Sequence, residues 1–172
     1  MQDKFNQFFN LYNGKGVEYS DPSNPYQCMD AAGKWCEFLG IPYEAIRHLY
    51  AYQVWTQPTD LTRKYFDLIP NSATNVAQVG DLVIFGQKVG TAGHISIGTN
   101  KSNSMDYVGF EQNWAGKKYL TTVVHQKYNG VLGFLRPKNT TNSDDQKEQK
   151  IKDILNSPGT STEHLNKIKQ VL

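Results

Sequence analysis

Apolar positions recur at helical spacing in residues 24–39, where Ala31, Ala32, Trp35, Cys36 and Leu39 line one side of a helix. Asn24 serves as N-cap, Pro25 suits the first helical position, and Gln27 completes the spacing of a capping box. Gly40-Ile41-Pro42 then stops the helix with a glycine and a proline beyond it. Further along the period shortens to two. Asp81-Leu82-Val83-Ile84-Phe85 is an apolar strand entered through Gly80, Gly93 to Gly98 is a second, and the turn positions at Gly86 and Gly90 make the pair a hairpin. His94, Ser96 and Gly98 point to one side of the second strand, while Ile95 and Ile97 point to the core. Met105 to Trp114 alternates loosely as another strand, on which Glu111 and Asn113, two apart, share a face. Tyr50, Tyr52 and Trp55 recur at helical spacing and fit core packing better than the wall of a cleft.

The pattern changes after residue 138. All eight Phe, ten Tyr and three Trp residues lie before that point, so an aromatic core belongs to 1–138 alone. Asn139-Thr140-Thr141-Asn142-Ser143-Asp144-Asp145 is a polar linker. Residues 146–156 and 161–172 follow as two short helices with narrow stripes, Ile151, Ile154 and Leu155 in one and Leu165, Ile168 and Leu172 in the other. The expected organisation is one domain over 1–138, with a linker and helical segment over 139–172 too small to fold alone.

Charge and cysteine count narrow the function classes. A net charge of +2 over 172 residues gives no basic stripe of the kind nucleic-acid binding needs. No stretch is long and apolar enough to insert in a membrane, and Met1-Gln2-Asp3-Lys4-Phe5 lacks the basic start and apolar run of a signal peptide. The two cysteines, eight apart on one helix, are separated by about 12 Å at a rise of about 1.5 Å per residue, too far for a disulfide. Such a chain suits a reducing compartment.

The candidate chemistry lies in Cys28, His94, Glu111 and Asn113. Cys28 falls in the first turn of its helix, where the helix dipole favours a thiolate. Cysteine, then histidine, then an acid or amide is the chain order of a papain-like thiol hydrolase. Glu111 supplies the acceptor that fixes the tautomer of His94, and Asn113 brings an amide nearby. The N–H of Cys28 is one candidate oxyanion donor, and no sequence signal fixes a second. Cys36 has no capping context and is expected in the core; His48, His125 and His164 are expected to be ordinary, satisfied polar residues.

These residues carry a resemblance to the CHAP family of cysteine- and histidine-dependent amidohydrolase/peptidase domains, above all those of bacteriophage endolysins. Its marks are Gln27-Cys28-Met29-Asp30, the Gly80-Asp81 step into a strand, Gly93-His94-Ile95, Glu111-Gln112-Asn113-Trp114 and Phe134-Leu135-Arg136-Pro137, in order over residues 1–138. The resemblance implies an α+β, papain-like fold with N-terminal helices packed on a C-terminal antiparallel sheet. It also implies a peptidoglycan hydrolase that cuts a wall amide bond, with Cys28 as nucleophile, His94 as base, Glu111 as orienting acid and Asn113 as a further site residue; Trp114, beside that motif, is expected as a substrate wall. Such an enzyme is made in the host cytoplasm and acts on the wall after release. It needs no organic cofactor, and residues 146–172 would then begin a wall-binding or self-association region. Many members bind calcium through acids flanking the cysteine, which here are Glu18, Asp21 and Asp30. This chain departs from that pattern, because Tyr19 stands where the family has an aspartate two residues before Asp21. A non-catalytic wall-binding or tail protein, and a papain-like protease acting on proteins, are the alternatives.

Overall fold

The computed structural model describes residues 1–19, 21–138, 151, 154–155 and 157–169, and it divides into two compact units, Met1–Lys138 and Asn139–Leu172. In the first unit, helices α1 (Gln2–Tyr12) and α2 (Cys28–Phe38) precede two short helices, α3 (Gln53–Thr56) and α4 (Asp60–Tyr65). Six strands follow: β1 (Phe66–Pro70), β2 (Leu82–Phe85), β3 (His94–Gly98), β4 (Asp106–Glu111), β5 (Thr121–Gln126) and β6 (Val131–Pro137). They form one antiparallel sheet in the order β1-β6-β2-β3-β4-β5. The fold is α+β and papain-like, helices first and sheet after.

The sheet is covered on both faces, which is why β2 and β3 are buried at every position. On one face Leu82, Ile84, Ile95, Ile97 and Phe110 meet Phe5 and Phe8 of α1 and Trp35 of α2. Phe8 stands edge-on to Trp35 at 5.0 Å, and the Trp35 indole N–H donates to the Gly80 carbonyl at 3.0 Å. The indole is thereby fully buried without an unsatisfied donor. On the other face Val83, Phe85, Tyr107, Tyr128, Val131 and Phe134 make a second cluster. Ser96 points to that side, where its hydroxyl meets the Tyr107 hydroxyl at 2.7 Å.

α2 ends as its sequence predicts. Gly40 takes φ +75°, its N–H bonds to the Glu37 carbonyl, and the Ile41 N–H reaches back to the Cys36 carbonyl at 2.8 Å. This left-handed closure favours a residue without Cβ. Two of the sequence marks, far apart in the chain, prove to be one interaction: Arg136 of β6 makes two bonds, 3.0 and 2.9 Å, to the buried Asp81 carboxylate at the entry to β2. Trp55, expected in the core, lies flat over Gly133 of β6, where an added Cβ would sit 2.3 Å from the indole.

In the second unit, α5 (Ser161–Lys169) begins at Thr160, whose N–H and hydroxyl both donate to Glu163. Residues 151 and 154–155 are helical. The expected linker 139–145, most of the 146–156 helix and the end of the second helix fall outside the described residues. Among the described residues no helix is long and apolar enough to cross a membrane.

Candidate active site

α2 and β3 bring a thiol and an imidazole together. The Gln27 N–H donates to the Asp30 carboxylate at 2.7 Å, so Gln27 is the N-cap and Cys28 the first helical residue. This start lies later than the Asn24 cap expected from sequence. Tyr26 is the cause: at φ +63° it breaks the helical path, and Asn24 is left to accept from the Gln27 side-chain amide at 2.9 Å. The shift improves the site, because the N–H of Cys28 now has no helical acceptor and faces outward from the helix end.

Cys28 lines an open cavity of about 670 Å³ with Gln27, Tyr19, Tyr43, Arg47 and Tyr50. Burial pushes its thiol pKa up, but the hydrogen bond and charge of His94, helped by the N–H groups of Ile95 and Met29, hold it below the ordinary value. Cys36 is fully buried with no such partner, and burial alone pushes its thiol far up. The two thiols are thus shifted in opposite directions, Cys28 down and Cys36 up.

His94 is 5 % exposed. Its Nε2 donates to Glu111 Oε2, which leaves Nδ1 for the thiol. Burial would lower the imidazole pKa; the hydrogen bonds to Cys28 and Glu111 outweigh it and raise the value to about 9. Each group thus favours the ionised form of the other, thiolate on Cys28 and imidazolium on His94.

Glu111 accepts a second histidine on its other oxygen. His125 Nε2 donates to Oε1 at 2.5 Å, and the two histidines hold the carboxyl below its ordinary range against the effect of burial. Sequence reasoning left His125 among the ordinary polar residues; here it is 7 % exposed and faces the site. Its ring stacks on Tyr107, directly across the β4–β5 ladder, at 5.4 Å. From there Nε2 reaches over Gly109 to Glu111. A Cβ on Gly109 would sit 3.1 Å from the accepting oxygen, so the glycine keeps the path open. An isolated glycine inside a strand is the sequence signal that marks such an approach.

Glu111 and Asn113 do not share a strand face as expected. β4 ends at Glu111, and Asn113 takes φ +63°, so alternation no longer governs it. Its amide donates instead to Gln27 Oε1 at 2.7 Å, which ties it to the cap of the nucleophile helix. Gln112, singled out only as part of a motif, is fully buried and bonds the Val17 N–H, the Val17 carbonyl and the Gln27 carbonyl at 2.7, 2.8 and 3.0 Å. Trp114, expected as a substrate wall, does not line the cavity that holds Cys28. It packs against the rings of His94 and His125, at 5.0 and 4.5 Å, and shields them.

Two of the acids expected to hold calcium make local hydrogen bonds. Asp30 accepts from the N–H groups of Tyr19 and Gln27, and Asp21 closes a turn with Ser23 at 2.6 Å. Among the described residues no three His, Cys, Asp or Glu side chains gather as metal ligands. Tyr19, at the departed position, packs on Tyr43 at 5.2 Å, with the Lys34 ammonium 5.7 Å from its ring centre.

A papain-like fold with a cysteine at a helix start against a histidine-bearing strand is the class this architecture defines. In sequence the chain is 32 % identical over 99 residues to a probable autolysin PH of Staphylococcus aureus, a match that covers 57 % of this chain and 20 % of the autolysin. In structure it is similar to the endolysin LysIME-EF1, with a TM-score of 0.63 at 24 % identity over 81 % of this chain and 64 % of that one. It is also similar to Ly7917, solved with the hydrolysing product of MDP, with a TM-score of 0.59 at 17 % identity over 80 % and 63 %. The chain thus spans a fifth of the autolysin and under two thirds of each of these two solved chains. No family profile matches it.

Proposed function

We propose that the protein is a peptidoglycan hydrolase of the CHAP type that cleaves an amide bond of the bacterial wall through a cysteine thiolate. The observation that carries this reading is His94, hydrogen-bonded to Glu111 through one nitrogen and facing Cys28 with the other, behind a thiol that opens on a cavity. The autolysin likeness supports the wall as substrate, and the endolysin folds support the same scaffold.

In the proposed reaction the Cys28 sulfur attacks the amide carbonyl carbon, and the carbonyl electrons move onto oxygen. The free N–H of Cys28 at the start of α2 stabilises that oxyanion. Collapse of the tetrahedral species expels the amine, which takes a proton from the His94 imidazolium. Neutral His94 then deprotonates water for attack on the thioester, and collapse of the second tetrahedral species expels the Cys28 thiolate, which is left paired with the His94 imidazolium as the acid departs. Glu111 holds the ring in register throughout. Asn113 acts one step back, through the Gln27 cap. Tyr43, Tyr50 and Arg47 offer the substrate two phenolic faces and a cation along the cavity.

Turbidity loss of purified walls, with mass spectrometry of the released fragments, tests the reading. Cys28→Ala should abolish release while melting like the parent, and Cys36→Ala should retain it. Casein should survive intact. Wall fragments released by a folded Cys28→Ala protein, or casein cut faster than walls, would overturn the proposal.

A further inference from the structure

Glu111 has two oxygens and two imidazole partners, but the reaction just described uses only one of them. The carboxylate is 1 % exposed and sits between β3 and β5, with His94 on Oε2 and His125 on Oε1. The other titratable groups on this face include Tyr107 of β4 itself, whose hydroxyl is engaged by Ser96 and whose ionisation is suppressed by burial and by Glu111, and Tyr128, whose ring packs on Tyr107 at 5.8 Å and whose hydroxyl donates to the Asn103 carbonyl. Phe85, Trp114 and the Tyr107 ring enclose His125, at 4.8, 4.5 and 5.4 Å. The imidazole is thus fixed by packing, and its donor is aimed at a single acceptor.

We propose that His125 is a positioning residue for the thiol–imidazole pair: its Nε2–H clamps Glu111 Oε1, so the carboxylate stays ionised and presents Oε2 to His94. This rests on the thiol-hydrolase reading above and deepens it.

Two physical arguments carry the role. The terminal torsion of a glutamate is broad and two-fold, so a carboxylate held through one oxygen can rotate away from its partner. A donor on the second oxygen removes that freedom. A buried carboxylate that loses one of its two donors also takes up a proton more readily. Protonated Glu111 would donate to His94 Nε2, forcing the His94 proton onto Nδ1, the nitrogen that must accept from Cys28. The clamp therefore selects the tautomer of a ring it does not touch. Gly109 is the second half of the device, since a side chain there would occupy the space His125 crosses.

The test follows the thiolate rather than the wall. Cys28 is alkylated with iodoacetamide across pH in the full chain, while buried Cys36 stays silent. His125→Phe keeps the aromatic packing and removes the donor; His125→Gln restores an N–H near the position of Nε2. We expect alkylation at pH 6 to slow about tenfold in His125→Phe, the loss of a charge-assisted hydrogen bond felt through His94. His125→Gln should return to within about threefold of the parent, since an amide still donates to the carboxylate. The acid limb of wall hydrolysis should move up in His125→Phe and back in His125→Gln. A parent-like alkylation profile in His125→Phe overturns the inference, as does an equal loss in both variants, which would mark packing alone. If His125→Phe fails to fold, His125→Met takes its place as the variant without a donor: a slowed profile beside a parent-like His125→Gln supports the clamp, and a parent-like His125→Met overturns it. Should the profiles shift as expected while walls stay intact in the parent, the clamp stands and the wall reading falls.

Discussion

A histidine 5 % exposed would ordinarily lose its proton readily, because burial disfavours the charged ring. His94 keeps its proton up to about pH 9 because Cys28 and Glu111 both stabilise the imidazolium. Wall hydrolysis should therefore fall as pH rises through about 9, where the acid that protonates the leaving amine is lost. Alkylation of Cys28 should persist above that pH, since the thiolate survives there. His94→Ala should abolish hydrolysis as completely as Cys28→Ala, and the double variant should be no worse, because such groups act as one unit. A pH–rate curve with no alkaline limb, or hydrolysis by His94→Ala, would remove His94 from its role. Cys28, His94 and Glu111 were legible in the sequence because each sits at an element end with a local signal. His125 was not: its partner depends on the β4–β5 register and on the gap at Gly109, neither of which has a local period. The face assigned to Asn113 failed for a related reason, since nothing in the alternation announces the left-handed turn after Glu111.

At the scale of elements, the end of β4 does more than terminate a strand. The Gln112 amide joins it to the loop at Val17 and to the cap of α2, so the strand that carries Glu111 and the helix that carries Cys28 share one buried group. Gln112→Ala would leave a buried N–H and two carbonyls without that partner, and we expect a loss of about 2–4 kcal/mol. Cys28 alkylation at low pH should slow along with the drop in melting temperature. An unchanged Tm would show that water replaces the amide without cost. The helix end at Gly40 and the β2–β3 hairpin were predictable from turn residues and period. The strands β1 and β6 were not delimited, because their pairing joins segments more than 60 residues apart and Gly133 accepts Trp55 from outside the sheet. Long-range fit of that kind leaves little trace in local hydropathy.

At the scale of the whole molecule, both cores and the candidate site belong to the first unit, closed at its end by the Lys138 N–H on the Tyr65 carbonyl and the Lys138 ammonium on the Arg63 carbonyl. A protein ended after Lys138 should melt within a few degrees of the full chain and alkylate at Cys28 with the same pH profile; a large fall in either would tie the second unit to the first. The sheet order adds something about time. β6, made last among the six strands, lies between β1 and β2, and Arg136 reaches Asp81 only once it has been synthesised. While the chain emerges from a ribosome, one edge of β2 stays open after Cys28, His94 and Glu111 have all been made. Non-local pairing of this kind forms late in folding. A nascent or prematurely ended chain thus carries Cys28, His94 and Glu111 without a finished sheet behind them.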